Sequence, residues 1–201
     1  MDQDGGLRER LIDVGVELVT SEGTAALGLR EIARRAGVSH GAPRRYFATH
    51  HALLSAIARR GFEELGSRIP AALEGPGADD PRGQVRALGR AYVGYALEHR
   101  GMFELMFRHD LLDGDGQDGP PGARLRDSTL PLFELLVSLV ARCGTAGAPR
   151  VAAAALWANL HGVAQLWAWG SLPLVLDGGT DGSVDRVVDA ALDAHLPGRR
   201  P

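Results

Sequence analysis

Apolar side chains recur at intervals of three and four residues along most of the chain, and this period is the feature that most restricts its fold. Alanine and leucine supply most of these residues, whereas isoleucine, which favours strands, occurs only four times. The first helical stripe consists of Leu7, Leu11, Val14 and Leu18. The same spacing returns near the end at Val184, Val187, Val188, Ala191 and Leu192. The sequence therefore predicts an all-α protein.

Two short helices followed by a long one are predicted in the first third of the chain from their end signals. Gly28 precedes a helix from about Leu29 to Ala36, and Gly37 provides the left-handed conformation that ends it. Ser39 is expected to cap the next helix, and Thr49 to cap the long one. Short helices joined by a tight turn with glycine are typical of a helix-turn-helix.

Composition and charge exclude several classes of protein. The formal net charge is −3, but residues 1–62 contain nine arginines against seven acidic residues, and residues 63–201 contain thirteen against eighteen. This asymmetry confines any contact with nucleic acid to the first part of the chain. A single cysteine, Cys143, excludes an internal disulfide framework. No basic and apolar leader follows Met1, so we expect a cytoplasmic protein.

The stretch from Val151 to Leu176 contains no charged residue and is long enough to be considered as a membrane span. Asn159, His161 and Gln165 are costly in lipid, so we expect no membrane partner but a helix buried on all sides. One of its two stripes is expected to face the subunit core and the other a partner. These stripes are Leu156, Leu160, Val163 and Trp167, and Trp157, His161 and Gln165. We expect a charge at Leu160 or Val163 to split such a dimer.

The segment from Leu29 to Leu54 resembles the DNA-binding head of the TetR family of transcriptional regulators. The matching residues are Gly23, Ile32, Ala33, the run Ala36-Gly37-Val38-Ser39, Gly41, Tyr46, Phe47, Leu53 and Leu54. The resemblance implies a helix-turn-helix domain over residues 1–60, joined by a long helix to an effector-binding and dimerisation domain over residues 61–201. It also implies about nine helices, a homodimer on palindromic operator DNA, and repression relieved by a small-molecule effector.

The residues expected to contact DNA follow from helical geometry and from this resemblance. Pro43 and Phe47 share one face of the third helix, so the opposite face projects towards the major groove. Pro43 stands where the family has a large apolar residue, and we expect the helix to tolerate it at the first turn. The predicted base contacts are His40, Gly41, Arg44 and Arg45. The remaining DNA-binding residues are Ser39, Tyr46, Thr49 and His50, the last in place of the family's lysine.

A second resemblance covers Leu156 to Gly162, which is similar to the TetR-type C-terminal domain named for its Trp, His and Gly. It implies that helices near residues 150–170 and 183–196 pair with their copies in a four-helix bundle. Aromatic residues and methionines nearby are predicted to hold the effector, although core packing is the simpler interpretation. This set is Tyr92, Tyr95, Met102, Phe103, Met106, Phe107, Phe133, Trp157, His161 and Gln165.

Other functions are possible on motif grounds alone. Gly37-Val38-Ser39-His40-Gly41 matches the nucleophile elbow of serine hydrolases, with Asp177 and His195 following in the required order, but an elbow must follow a strand. A helical scaffold that binds only proteins is the other alternative. The glycine and aspartate pattern at residues 113–124 departs from nucleotide and calcium loops. We therefore predict no cofactor, no metal and no catalytic residue.

Overall fold

The computed structural model describes residues 3–74, 80–112, 125–144, 147–176 and 182–196, and within these ranges every regular element is helical. The all-α prediction is confirmed. The nine α-helices of the described ranges are α1 (Gln3–Glu22), α2 (Leu29–Arg35), α3 (His50–Leu73), α4 (Pro81–Glu98), α5 (Arg100–Met106), α6 (Leu125–Arg142), α7 (Pro149–Ala168), α8 (Ser171–Val175) and α9 (Ser183–His195). Two short 3-10 helices, Thr24–Ala26 and Ala42–Arg45, lie between them.

The chain forms two compact units. Unit 1 comprises Met1–Glu64 and His99–Thr129, and unit 2 comprises Leu65–Glu98 and Leu130–Pro201. Helices α3 and α6 each begin in unit 1 and end in unit 2. The glycine-rich segments that the sequence marks as loops, 113–122 and 177–182, lie outside the described residues except for Gly182, which precedes α9.

Unit 1 is held together by the apolar faces of α1, α2, α3 and α5. Its fully buried side chains include Leu11, Leu18, Ile32, Leu53, Ile57, Leu105 and Met106. Close packing depends on glycine at two helix contacts. A Cβ on Gly15 would overlap the side chain of Ile57, and a Cβ on Gly61 would lie 2.7 Å from Cγ of Met102. These contacts place α1 and α5 directly against α3.

The helix ends predicted at Gly28, Gly37 and Thr49 are confirmed, and Gly23 ends α1 in the same way as Gly37 ends α2. Glycine ends α1 and α2 in the left-handed region, with φ of 81° at Gly23 and 69° at Gly37, where other residues are strained. Thr49 caps α3, since its Oγ1 accepts a hydrogen bond of 2.9 Å from the backbone N–H of Ala52.

The third helix differs from the prediction. It is a 3-10 helix of four residues, Ala42–Arg45, and Gly41 rather than Ser39 stands at its N-cap, with no capping side chain. The reason is Pro43, which lacks the N–H needed to extend an α-helical ladder back to Ser39. The N–H of Ala42 instead bonds the carbonyl of Ser39 at 3.0 Å, an i to i+3 pattern. Pro43 and Phe47 are both buried, as predicted.

Unit 2 packs α4, α7 and α9 around a second core that includes Val85, Leu156, Leu160, Val188 and Leu192. Three arginines of α4 form ion pairs with the aspartates of α9 along one edge of this core. The pairs are Arg82 to Asp193 at 2.6 Å, Arg86 to Asp189 at 2.9 Å and Arg90 to Asp189 at 3.0 Å. Each ion pair is partly exposed and contributes little to stability alone. Together the three pairs favour one register of α4 against α9.

Helix α7 lies with one face in this core, where Leu156, Leu160 and Val163 are buried as the sequence predicts. Its opposite face is exposed in the single chain. We call this face the α7 stripe, and it consists of Val151, Ala155, Ala158, Gly162, Leu166 and Trp169, the last at the helix end. No helix in the described ranges is both long and apolar enough to cross a bilayer.

We expect two glycine substitutions to have opposite effects on stability. In Gly101→Ala the new Cβ would overlap the carbonyl oxygen of Val19, a backbone atom that holds the N–H of Gly23 at 3.1 Å. The free energy of unfolding should fall by about 1 to 3 kcal/mol. In Gly94→Ala the Cβ meets nothing within 4 Å, so this helix-interior change should raise stability by about 0.5 to 1 kcal/mol. Urea unfolding followed by circular dichroism measures both, and equal stabilities would contradict the packing at Gly101.

Candidate DNA-binding surface and effector site

The predicted base-contacting residues share one exposed surface of unit 1. Pro43 and Phe47 point into the core, which turns the other side of the 3-10 helix to solvent. Phe47 is also covered by Arg8, whose guanidinium carbon lies 5.4 Å from the centre of its ring. The exposed residues on this surface are Ser39, His40, Gly41, Arg44 and Arg45.

Positive charge on this surface is concentrated at the 3-10 helix. On α2, Glu31 holds Arg34 at 2.6 Å and Arg35 at 2.7 Å. Hydrogen bonds from these two guanidinium groups lower the pKa of Glu31 to about 2, so the carboxylate stays charged. Among the described residues Arg44 and Arg45 form no ion pair. Their guanidinium groups are therefore available to a ligand outside the chain, whereas those of Arg34 and Arg35 are held by Glu31.

The phosphate-contacting candidates lie where α3 begins. Tyr46 is half-buried and Thr49 is exposed. The Nε2 atom of His50 lies 2.6 Å from the carbonyl oxygen of Leu27, so this nitrogen carries a hydrogen and donates it. The ring thereby ties the start of α3 to the turn before α2. His51 is the more exposed of the two adjacent histidines. Sequence reasoning did not select it, since the family position pointed to His50.

In unit 2, three predicted effector residues form one hydrogen-bonded cluster. The indole Nε1 of Trp157 donates to the hydroxyl of Tyr92 at 3.1 Å, and this hydroxyl lies 2.8 Å from Nδ1 of His161. Phe133 packs edge-on against Trp157, with 6.1 Å between ring centroids. Burial raises the pKa of Tyr92, so its hydroxyl keeps its proton. We call Tyr92, Phe133, Trp157 and His161 the aromatic cluster.

The other predicted effector residues lie elsewhere. Four of them belong to unit 1, where Phe62 packs against Phe107 with ring centroids 5.6 Å apart; these four are Met102, Phe103, Met106 and Phe107. Tyr95 is fully buried in unit 2, with the guanidinium of Arg68 5.0 Å from its ring centre. Gln165 is half-buried on α7. The structure therefore joins Tyr92, Phe133, Trp157 and His161 and divides the remainder of the set between the two units.

We expect His161 to make the folded protein sensitive to acid. Burial lowers the pKa of His161 from the ordinary value of 6.5, so the folded state favours the neutral ring. Below pH 6.5 the unfolded chain takes up a proton that the folded chain resists, and stability falls with pH. The slope of unfolding free energy between pH 7 and 5 should be smaller in His161→Gln than in the wild type. Matching slopes in urea titrations of the two proteins would count against this role.

The hydrolase alternative lacks its structural context. Ser39 follows α2 and a turn, and the described part of the chain contains no strand for an elbow to follow. Asp177 lies outside the described residues, and His195 on α9 pairs with Asn159 through its Nε2 at 3.2 Å.

The described residues form a helix-turn-helix within a set of helices, and its second helix exposes two arginines that pair with no other described residue. These features define the class of DNA-binding transcriptional regulators. A family model described as "Bacterial regulatory proteins, tetR family" matches residues 11–57, and one described as "Tetracyclin repressor-like, C-terminal domain" matches residues 85–191. The chain belongs to the TetR family. It is a DNA-binding regulator of that family, and the sequence-based family assignment is confirmed.

Individual relatives agree with this assignment. An uncharacterised HTH-type transcriptional regulator of Xanthobacter autotrophicus is 33% identical over 90 residues, which cover 45% of each chain. The chain thus matches less than half the length of this curated relative. A protein of unknown function from Rhodococcus sp. RHA1 is 32% identical with a TM-score of 0.70, over 94% of this chain and 93% of the other. The multidrug binding protein EbrR, solved with imidazole, is 24% identical with a TM-score of 0.63, over 100% and 94% of the chains, and supports the fold.

Proposed function

We propose that the protein is a repressor that binds a palindromic operator as a homodimer and is released by a small-molecule effector. The observation that carries the DNA-binding part is the exposure of Arg44 and Arg45 on the second helix of the helix-turn-helix, where neither forms an ion pair with a described residue. A two-fold dimer would present two such helices to half-sites about 34 Å apart along the major groove.

The contacts to DNA divide into two kinds. His40, Gly41, Arg44 and Arg45 supply the base contacts, since an arginine can fork onto O6 and N7 of guanine. Ser39, Tyr46, Thr49 and His50 hold the phosphate backbone at the start of α3, where the helix N-terminus also favours negative charge.

The dimer forms through the α7 stripe and the adjoining exposed side of α9. In the single chain the stripe leaves Val151 68% exposed and Trp169 65% exposed, a large apolar surface for a water-facing helix. The α7 stripe contains no charged residue, so the stripes of two subunits can meet without electrostatic repulsion. On α9 the exposed alanines Ala190 and Ala194 extend the proposed dimer surface.

The effector binds at the aromatic cluster of unit 2. Its aromatic rings offer stacking surface, and the hydroxyl of Tyr92 and the imidazole of His161 offer hydrogen bonds. Arg150, whose guanidinium lies 5.6 Å from the ring centre of Phe133, forms an ion pair with Glu134. We therefore expect an uncharged aromatic or heteroaromatic effector. EbrR, which was solved with imidazole, illustrates a ligand of that kind in a protein of this fold.

Release of the operator by an effector is tested by measuring how each ligand changes the affinity of the protein for the other. A library of uncharged aromatic compounds is first screened by thermal shift for compounds that stabilise the protein. Operator affinity is then measured by calorimetry with and without the best compound, and the compound's affinity with and without operator. We expect both affinities to fall by the same factor, between about 5- and 150-fold. A compound that binds at the aromatic cluster yet leaves operator affinity unchanged would contradict release by an effector.

A further inference from the structure

Three side chains of the aromatic cluster form a series of hydrogen bonds that runs in one direction. The indole of Trp157 has an N–H and no acceptor, so the hydroxyl oxygen of Tyr92 accepts in the bond of 3.1 Å between them. Burial raises the pKa of Tyr92, so this hydroxyl also has a proton to donate. The Nδ1 atom of His161 lies 2.8 Å from the hydroxyl oxygen, within reach of that proton. We call the two bonds the hydrogen-bond relay.

The relay determines which nitrogen of His161 carries the hydrogen. A neutral imidazole donates through one ring nitrogen and accepts through the other, and the bond made by one nitrogen sets the role of the other. Burial lowers the pKa of His161, which favours the neutral ring in the folded protein. With the hydrogen on Nδ1, two N–H groups would point at the oxygen of Tyr92, and the hydroxyl proton would have no acceptor within the relay. The tautomer that satisfies all three groups has its hydrogen on Nε2.

We propose that the relay fixes His161 as a hydrogen-bond donor through Nε2, and that the effector is an aromatic compound that accepts this hydrogen bond. The inference rests on the proposed effector site at the aromatic cluster and names the chemistry that this site selects. His161 is half-buried and Trp157 is 37% exposed, so both side chains reach the surface of unit 2. A carbonyl oxygen or an aromatic ring nitrogen suits the Nε2–H group. A compound whose only polar group is an N–H would instead place a second donor against it.

The tautomer can be measured without any ligand by NMR of protein labelled with ¹⁵N in its histidine rings. Protonated and unprotonated ring nitrogens have well separated resonances, and His161→Gln identifies the His161 signals among those of the seven histidines. At about pH 8 we expect an unprotonated Nδ1 and a protonated Nε2. Tyr92→Phe should move the Nδ1 signal towards that of a nitrogen that accepts no hydrogen bond. Tyr95→Phe, which removes the hydroxyl of a buried tyrosine outside the aromatic cluster, should leave it in place.

Quinoline and indole are probes of similar size that test the effector chemistry. Both are uncharged at about pH 8, but quinoline has a ring nitrogen that accepts and indole has an N–H that donates. Titrations followed by the His161 signals record binding at the aromatic cluster itself. We expect quinoline to bind about 5- to 30-fold more tightly than indole, because the mismatched pair leaves two donors without acceptors. The preference should fall at least about threefold in Tyr92→Phe, where the imidazole can adopt either tautomer, and persist in Tyr95→Phe.

The outcomes separate the relay from the effector chemistry. A protonated Nδ1 in the wild type, or an Nδ1 signal that Tyr92→Phe leaves unchanged, would overturn the relay. Indole binding as tightly as quinoline would overturn the acceptor chemistry but leave release by an effector intact, since that is measured by coupling to operator. If neither compound moved the His161 signals, the effector site would not lie at the aromatic cluster and the proposal would fall with it. An unprotonated Nδ1 that responds to Tyr92→Phe, together with a preference for quinoline, supports both parts.

Discussion

Replacing Arg44 or Arg45 with alanine should relax the sequence preference of operator binding at one symmetric base pair in each half-site. Each arginine is exposed on the 3-10 helix and pairs with no residue of the described ranges, so its guanidinium can fork onto guanine. The lost contact should cost about 1 to 3 kcal/mol per subunit, roughly 5- to 150-fold in affinity for the best operator. Binding-site selection from random duplexes measures the change in preference directly.

Phosphate contacts provide the matched control for this experiment. Tyr46→Phe removes one hydroxyl next to Arg45, and it should lower affinity for all duplexes alike without changing the selected sequence. Arg34→Ala removes an arginine whose charge is already held by Glu31, and it should alter binding little. If Arg44→Ala and Arg45→Ala both select the wild-type sequence, these two residues do not read bases.

Ala158→Glu should split the dimer and abolish binding to the full operator. The substitution places a carboxylate at the centre of the α7 stripe, where two copies would bring like charges together in an apolar contact. An unpaired charge buried in an interface costs several kcal/mol, so the dissociation constant of the dimer should rise by at least about 100-fold. Sedimentation velocity at micromolar concentration distinguishes monomer from dimer. Circular dichroism should stay that of the wild type, because Ala158 is exposed in the single chain.

Two further variants serve as controls for Ala158→Glu. Ser138→Glu adds the same charge on an exposed position of α6 and should leave the dimer intact. Leu160→Glu, expected from the sequence to split the dimer, should instead unfold unit 2, because Leu160 is 3% exposed and packs within its core. A dimeric Ala158→Glu protein would exclude α7 as the interface.

The helix periods and end signals of unit 1 were predictable from sequence because they are local. Gly23, Gly37 and Thr49 act through backbone conformation and hydrogen bonds within a few residues. The length of the third helix was not predictable in the same way. Pro43 marks a boundary in the sequence, but the choice between α and 3-10 hydrogen bonding there depends on how Pro43 and Phe47 are buried in the finished core.

The faces of α7 show a second limit of sequence reasoning. Hydropathy identifies the buried side of a helix only when the opposite side is polar. On α7 both sides are apolar, so the pattern of Leu156 and Leu160 did not exclude burial all round, and the exposed alanines and Gly162 carried no signal.

The division of the predicted effector residues between the two units also depends on contacts that are distant in sequence. Gly61 and Gly101 allow α5 to pack against α3 and α1, contacts between segments about 40 to 80 residues apart that no local pattern reports.

Specific binding to DNA by the dimer is the central claim, and competition measures it most directly. A labelled duplex from the region flanking the protein's own gene is bound at fixed salt and followed by fluorescence anisotropy, while unlabelled specific or unrelated duplex is added. We expect one dimer per duplex and a preference for the specific competitor of at least about 1,000-fold at physiological salt. Equal competition by the unrelated duplex, at any salt concentration that permits binding, would contradict it.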